Sequence, residues 1–324
     1  MPNAIRIHQT GGPEVLQWES VAVAEPGPGQ VRVRHTAVGL NYIDTYHRNG
    51  LYKLPLPSVI GVEAAGVVEA VGPGVTDISK GDRVAYGGHP PGSYAEVRVM
   101  AADKLVKLPD DVSDRSAATL MLKGLTVQYL FRQTFPLKGG ETILFHAAAG
   151  GVGLIACQWA RALGVTLIGT VGSDEKAALA KANGCAHTIV YTRENFVERV
   201  KEITGGTGVP VVYDSIGKDT FPGSLDCLKP RGLFVSFGSS SGPIAAFDIG
   251  LLVQKGSLFA TRPSIAGYAV TRQDLLRMAD EMLALVKAGK IVSEARQTYA
   301  LKDAAQATKP ADGSRGHCGC RYRC

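Results

Sequence analysis

No run of 18 apolar residues occurs anywhere in this chain of 324 residues, which excludes a transmembrane helix of ordinary length. The N-terminal residues Met1-Pro2-Asn3-Ala4-Ile5-Arg6 lack the charged-then-apolar layout of a signal peptide, so a cytoplasmic protein is expected. A concentrated basic stripe is missing too. The 35 Lys and Arg against 29 Asp and Glu leave a net charge of +6, and the basic residues are scattered, without the interleaved aromatics of a nucleic-acid interface. Nucleic acid is therefore not an expected partner. Cysteine is sparse as well. Cys157, Cys185 and Cys227 stand singly in helix or helix-end contexts, the ordinary place of a buried reduced thiol. Cys318, Cys320 and Cys324 crowd the C-terminus beside His317, but with no second arm of ligands and no core to organise them. No metal site is expected there.

What the chain does have is the stretch Glu141-Thr142-Ile143-Leu144-Phe145-His146-Ala147-Ala148-Ala149-Gly150-Gly151-Val152-Gly153. An apolar strand enters a turn of Ala and Gly and leaves it as an amphipathic helix with apolar positions Val152, Ile155, Ala156, Trp159 and Leu163. Small residues let backbone approach a pyrophosphate, and the helix N-terminus offers free N–H groups to an anion. The register is Ala148-x-Gly150-x-x-Gly153, with alanine where the usual motif starts on glycine. Gly164 closes the helix and Val165–Val171 reads as a second buried strand, completing a βαβ unit.

The cofactor is discriminated at the end of that second strand. NAD enzymes usually place Asp or Glu there to accept from the ribose hydroxyls, and a carboxylate repels a 2′-phosphate. Here Gly172 and Ser173 follow the strand and Lys176 comes one turn later, a hydroxyl and an ammonium in place of the acid, which predicts NADPH. Asp174 is the competing feature; its expected role is to cap the helix that begins there.

From Ile5 to about Val106 the pattern is short strands and turns, Val31, Val33, His35 and Ala37 alternating with Arg32, Arg34 and Thr36. Strands are then expected near 142–146, 166–171, 188–190, 211–214, 233–237 and 258–261, with helices over 116–130, 152–163, 174–183, 195–204 and 220–228. Six strands with intervening helices predict a doubly wound parallel sheet, an α/β fold. A further helix is expected over 272–288, and 291–299 returns to the first domain.

The segments Asn41-Tyr42-Ile43-Asp44, Gly61-Val62-Glu63-Ala64-Ala65-Gly66-Val67-Val68, Lys80-Gly81-Asp82-Arg83-Val84, Gly92-Ser93-Tyr94-Ala95-Glu96 and Val235-Ser236-Phe237-Gly238 join the Ala-Gly turn in a wider pattern. Together they resemble the medium-chain dehydrogenase/reductase superfamily, most closely its zinc-free, zeta-crystallin-like quinone oxidoreductase branch. The resemblance spans residues 1 to about 307. It implies a GroES-like β domain of 1–123 and 262–324, a Rossmann NADPH-binding domain of 124–261, an active site in the cleft between them, and a homodimer. The apolar strand Ser257–Thr261 would otherwise be a sticky edge.

By the same resemblance the zinc-ligand positions of metal-dependent members fall on Asn41, Val62 and Leu122, and two of these have no lone pair to offer a metal. A quinone needs no Lewis acid, because its conjugated carbonyls accept hydride and the hydroquinone product is aromatic. Asn41, Tyr46 and Tyr52 are the implied residues facing nicotinamide and substrate, with amide and phenols donating to a developing oxyanion. The cofactor set that the resemblance implies is Asn41, Thr126, Ala149, Gly150, Gly151, Val152, Ser173, Lys176, Tyr191, Phe237, Gly238 and Ser239, while His146 reads as a core histidine. An NADPH-dependent enoyl or alkenal reductase is the rival reading, and an RNA-binding or structural role a third.

The resemblance ends at the C-terminus. Pro310 and Gly313 break the helix expected there and no apolar run follows, so a lost final strand, a lost basic contact to the cofactor, and lower stability than a complete homologue are expected.

Overall fold

The computed structural model describes residues 1–295 and 297–308, and the backbone of 320–323. The chain divides into two compact units, Met1–Leu125 with Ala269–Cys324, and Thr126–Tyr268.

The first unit begins with strands β1 (Asn3–Ile7), β2 (Gln17–Ser20), β3 (Gln30–Gly39), β4 (Ser58–Val59), β5 (Glu63–Val71), β6 (Arg83–Gly87), β7 (Val97–Ala101) and β8 (Val106–Lys107). Helix α1 (Tyr42–Asn49) interrupts them and α2 (Asp114–Tyr129) follows. Alternation of apolar and polar residues along β3 puts Val31 and Val33 into the core and leaves Arg32 and Arg34 outside, as a half-buried strand requires. Gly39 and Gly87 lie where the sheet meets the middle of α2. A methyl group on Gly39 would lie 2.2 Å from the Ala118 carbonyl oxygen, and one on Gly87 2.5 Å from the Leu122 nitrogen.

The second unit is a six-stranded parallel sheet of β9 (Thr142–Phe145), β10 (Thr166–Val171), β11 (His187–Val190), β12 (Val209–Asp214), β13 (Leu228–Ser236) and β14 (Phe259–Thr261). Its order, β11-β10-β9-β12-β13-β14, reverses direction between β9 and β12, the switch point where such sheets bind ligands. Helices α3 (Gly151–Leu163), α4 (Asp174–Ala182), α5 (Phe196–Ile203), α6 (Gly223–Asp226), α7 (Gly250–Gln254) and α8 (Ile265–Tyr268) connect the strands. Burial on both faces explains the near-continuous apolar strands: Leu144, Ile168, Ile189, Val212 and Phe234 share one core.

The helix expected over 220–228 is a single turn. Pro222 has no N–H to give and Gly223 disfavours the helix, so the turn collapses to α6 and β13 starts early, at Leu228. Helix α1 is absent from the expected elements, since its sequence, YIDTYHRN, has no apolar stripe.

The chain returns to the first unit with α9 (Arg272–Lys287), β15 (Gln297–Ala300), α10 (Ala304–Ala307) and β16 (Cys320–Arg323). The expected loss of the final strand is overturned. Backbone of Cys320–Arg323 pairs antiparallel with Ala37–Gly39 of β3 and parallel with β15. Strand pairing needs free backbone groups on both sides, which β3 and β15 supply, and not an apolar run. His317, Cys318 and Cys324, and with them the metal-site question, lie outside the described residues, as does the basic cofactor contact.

Candidate functional site

In the second unit, β9 delivers the chain into the turn His146–Gly150. Ala147 takes a left-handed φ of 57°, a conformation that costs energy for any residue with a Cβ. Gly150 is the N-cap of α3, and a methyl group on Gly153 would lie 2.4 Å from the Ala147 carbonyl oxygen. This is backbone packing that only glycine permits. Alanine at the first motif position has its own accommodation: a methyl group on Gly169 of β10 would lie 2.4 Å from the Ala148 methyl. The volume added at one position has been removed at the other, a pairing that motif spacing does not reveal.

The ribose end of the cradle is built where β10 stops. Ser173 is the N-cap of α4, its hydroxyl accepting from the Lys176 N–H at 3.3 Å. Gly172 leaves room for Tyr191, whose hydroxyl would stand 2.9 Å from a methyl there. Asp174 does not cap the helix, a correction to its expected role. Its carboxylate takes a bidentate pair from Arg193 at 2.6 Å and 2.6 Å, because Ser173 already occupies the cap position. That fork draws Asp174 to Arg193, and the hydroxyl and ammonium of Ser173 and Lys176 remain with the phenol of Tyr191 beside the strand end.

On the other side of the switch point, Phe237, Gly238 and Ser239 follow β13. The Phe237 N–H donates to the Asp214 carbonyl at 2.8 Å, and its ring lies 5.5 Å from Phe145. Arg262 donates to the Gly238 carbonyl at 2.7 Å and to the Ser236 hydroxyl at 2.9 Å, fixing this loop. Sequence reasoning missed Arg262. Thr126 is buried in α2, and Ala149, Gly150, Gly151 and Val152 stand at the turn, all four half-buried. His146 is a core histidine, with Nδ1 2.9 Å from the Thr170 hydroxyl and Nε2 3.0 Å from that of Ser224. Burial holds its pKa below the usual value.

In the first unit, Asn41 is the N-cap of α1, and Asp44 accepts from the Asn41 N–H at 2.8 Å and from the Tyr94 hydroxyl at 2.9 Å. Burial raises the Asp44 carboxyl to about 7, against the lowering effect of these hydrogen bonds. The rings of Tyr46 and Tyr52 meet edge-on at 5.1 Å, so Asn41, Tyr46 and Tyr52 belong to α1 and the loop that follows it. Tyr46 is buried and Tyr52 half-buried.

The side-chain nitrogen of Asn41 is occupied. It donates to Glu63 Oε2 at 2.8 Å and lies 3.5 Å from the Gly39 carbonyl. Glu63 is fully buried. Its carboxylate also accepts from the Leu122 N–H at 2.8 Å and from Lys123 Nζ at 2.9 Å. Val62 is buried and Leu122 half-buried, and neither side chain bears a donor atom for a metal. Among the described residues no group of three or more His, Cys, Asp or Glu side chains is arranged to hold a metal ion.

The geometry fits a dinucleotide: a glycine-only approach at Gly153, a helix N-terminus behind it, and a hydroxyl and an ammonium at the ribose end. Residues 27–110 match the family model described as alcohol dehydrogenase GroES-like domain, and 151–287 the one described as zinc-binding dehydrogenase. A quinone oxidoreductase of Pseudomonas aeruginosa is 58% identical over 95% of each chain. The crystal structure of a quinone oxidoreductase of Pseudomonas syringae superimposes with a TM-score of 0.97 at 53% identity, covering 100% of both chains. That of an Escherichia coli quinone oxidoreductase complexed with NADPH superimposes with a TM-score of 0.93 at 52% identity, covering 94% of both.

Proposed function

This chain belongs to the quinone oxidoreductase branch of the medium-chain dehydrogenase/reductase superfamily, and on that premise we propose that it reduces a quinone with NADPH. The observation that carries the cofactor is the β10 end, where Gly172, Ser173, Lys176 and Tyr191 stand in place of an acid and Asp174 is taken by Arg193. Bound NADPH supplies the hydride; the proton comes from water or a phenol.

The chain's own residues hold and orient. Gly150, Gly151 and the α3 N-terminus receive the pyrophosphate, with Ala149, Val152 and Thr126 lining it. Ser173, Lys176 and Tyr191 take the 2′-phosphate, and Phe237, Gly238 and Ser239 flank the nicotinamide. Tyr46 and Tyr52 donate to the developing oxyanion, with Asn41 beside them at the start of the same helix. No metal is needed, because hydride acceptance by the conjugated ring is driven by aromaticity of the product, and the aliphatic side chains of Val62 and Leu122 are no ligands.

Steady-state turnover of a small quinone and of an α,β-unsaturated ketone, each with NADPH and with NADH, tests the reading. Quinone with NADPH is the expected best pair, unchanged after dialysis against chelator. Preference for the ketone would favour the enoyl reductase instead.

The active form is a homodimer, and the site of action is the cytoplasm. Edge strand β14 carries Phe259, 61% exposed, and the preceding α7 and its N-cap carry Val253 and Ile249 at 72% and 73%. An apolar edge of this kind is stable in water when paired. Phe259→Glu is expected to convert a dimer mass in sedimentation to a monomer; a monomer for the unaltered chain at micromolar concentration would contradict the assembly.

A further inference from the structure

Asp214, the last residue of β12, is fully buried. Its carboxylate is held by neutral donors. Oδ1 accepts from the Ile216 N–H at 2.8 Å and the Gly217 N–H at 3.0 Å. Oδ2 accepts from the Thr220 hydroxyl at 2.6 Å and the Ser224 hydroxyl at 2.8 Å. Both oxygens are filled, so the side chain has one orientation and the backbone turn at 215–217 is shaped around it.

The hydrogen bonds beyond Ser224 have a fixed direction. Ser224 has one proton, which goes to the carboxylate, so its oxygen accepts from His146 Nε2. His146 is neutral because burial lowers its pKa, which leaves Nδ1 to accept from the Thr170 hydroxyl. A single chain of donors thus runs from the end of β10, through the start of the cradle turn, to Asp214.

On its other side the turn is the bed of the loop 237–242. The Ser240 N–H donates to the Ser215 carbonyl at 3.1 Å, and the Ser241 N–H and hydroxyl both donate to the Ile216 carbonyl at 3.0 Å. The Lys218 N–H donates to the Gly242 carbonyl at 3.1 Å. The approach is close enough to exclude a side chain: a methyl group on Gly238 would lie 2.6 Å from the Ser215 carbonyl oxygen, and one on Gly217 2.5 Å from that of Gly242.

We infer that Asp214 is the positioning residue of the nicotinamide end of the cofactor site, fixing the turn 215–217 and through it the loop that carries Phe237, Gly238 and Ser239. It meets no ligand itself. Through Ser224 and His146 the same carboxylate is tied to the turn His146–Gly150, so the spacing between the two ends of the site belongs to one network. This rests on the cofactor role proposed above for the loop.

The test separates the two ends of the cofactor. In Asp214→Ala the Ile216 and Gly217 N–H groups lose their acceptor, while Ser224 keeps His146 as donor and the Thr220 carbonyl as acceptor at 3.2 Å. Affinity for adenosine 2′,5′-bisphosphate is therefore expected to stay within about two-fold, and the fluorescence gained by the nicotinamide of bound NADPH to fall by about half or more. The single-turnover rate of NADPH oxidation by a small quinone is expected to fall at least about ten-fold. Asp214→Asn is expected to restore most of both: its oxygen keeps the two N–H groups, and its amide donates to the two hydroxyls. Those hydroxyls then turn to the Gly217 and Thr220 carbonyls, at 3.1 Å and 3.2 Å.

A folded Asp214→Ala protein with unaltered nicotinamide fluorescence and hydride-transfer rate overturns the inference. So does a parallel loss of affinity for adenosine 2′,5′-bisphosphate, which would make the network a support of the whole sheet. Should Asp214→Ala fail to fold, Ser241→Ala cuts the loop from the turn without touching the carboxylate. The same split is then expected with a rate loss of about two- to five-fold, and unaltered values overturn the inference. Absence of quinone turnover by the unaltered protein, with the fluorescence split intact, defeats the quinone reading alone.

Discussion

Around the turn His146–Gly150 the second unit removes side chains; around Asn41 the first unit buries charged ones. Gly153 and Gly169 are needed because a single added methyl group would collide with backbone or with the Ala148 methyl and Cys185 Sγ, and what stands at the turn is main-chain N–H groups and a helix end. At Asn41 no backbone approach is involved, and the polarity of one amide is set by an anion and a cation taken out of water. An anion common to many cofactors is recognised by a surface that any backbone provides, given space. A particular hydrogen-bond direction is held by side chains in a network.

If that contrast is right, damage in the two places has different character. Lys123→Met leaves Glu63 charged and buried with its cation gone, and a loss of about 3–5 kcal/mol in urea unfolding is expected; a loss below about 1 kcal/mol would mean that water reaches the carboxylate. In the cradle the failure is steric and is repaired by volume. Gly169→Ala is expected to cost about 1–3 kcal/mol through overpacking, and Ala148→Gly added to it to return part of that, since the new methyl group also meets Cys185 Sγ at 2.7 Å. Additive losses in this pair would deny the contact between the two methyl positions. Lys176→Gln is expected to raise KM for NADPH about ten-fold, about 1.4 kcal/mol, while leaving KM for NADH unchanged; equal effects on both cofactors would remove Lys176 from the 2′-phosphate.

A pH dependence separates a further buried group of the first unit. Burial raises the Asp44 carboxyl to about 7 in the folded chain from an ordinary 3.8. Between those values the folded chain binds more protons there than the unfolded one, so stability falls as pH rises towards 7 and is level above it. His35 and His47 are both lowered to about 4 by burial, and their contribution rises with pH up to about 6.5. The Asp44 slope is therefore isolated by difference: relative to Asp44→Asn, the unaltered chain loses stability from about pH 4 to about pH 7. A difference independent of pH would show that Asp44 is ionised throughout.

The contrast also explains what is legible in the sequence. The cradle is legible because close backbone approach leaves glycine at fixed spacing, and Gly150, Gly153 and Gly164 stand where the strand-turn-helix pattern places them. The parallel sheet is legible because strands buried on both faces are apolar throughout. Helix α1 is not, since its position depends on the Asn41–Asp44 cap and on packing by Tyr46 and not on a stripe. The longer helix expected over 220–228 gives too little weight to Pro222. Glu63 and Lys123 pass unremarked in the sequence, each an ordinary charged residue in type. Their context carries the signal: a lone acid between Val62 and Ala64 in a small, apolar run, and a lone lysine after Leu120-Met121-Leu122, both of which must find a partner once buried. Arg262 leaves no such mark, because its role is to hold a loop formed by residues far from it in sequence.

The closing of the first unit's sheet by β16 has a consequence for how the chain is made. The second unit is one continuous segment, Thr126–Tyr268, and is complete while translation continues. Strand β3 emerges early, but the partner for Ala37–Gly39 is synthesised only at Cys320–Arg323. At roughly 5–20 residues per second the nascent β3 waits on the order of tens of seconds with that edge open. During this interval its unpaired backbone groups are a template for pairing with another chain.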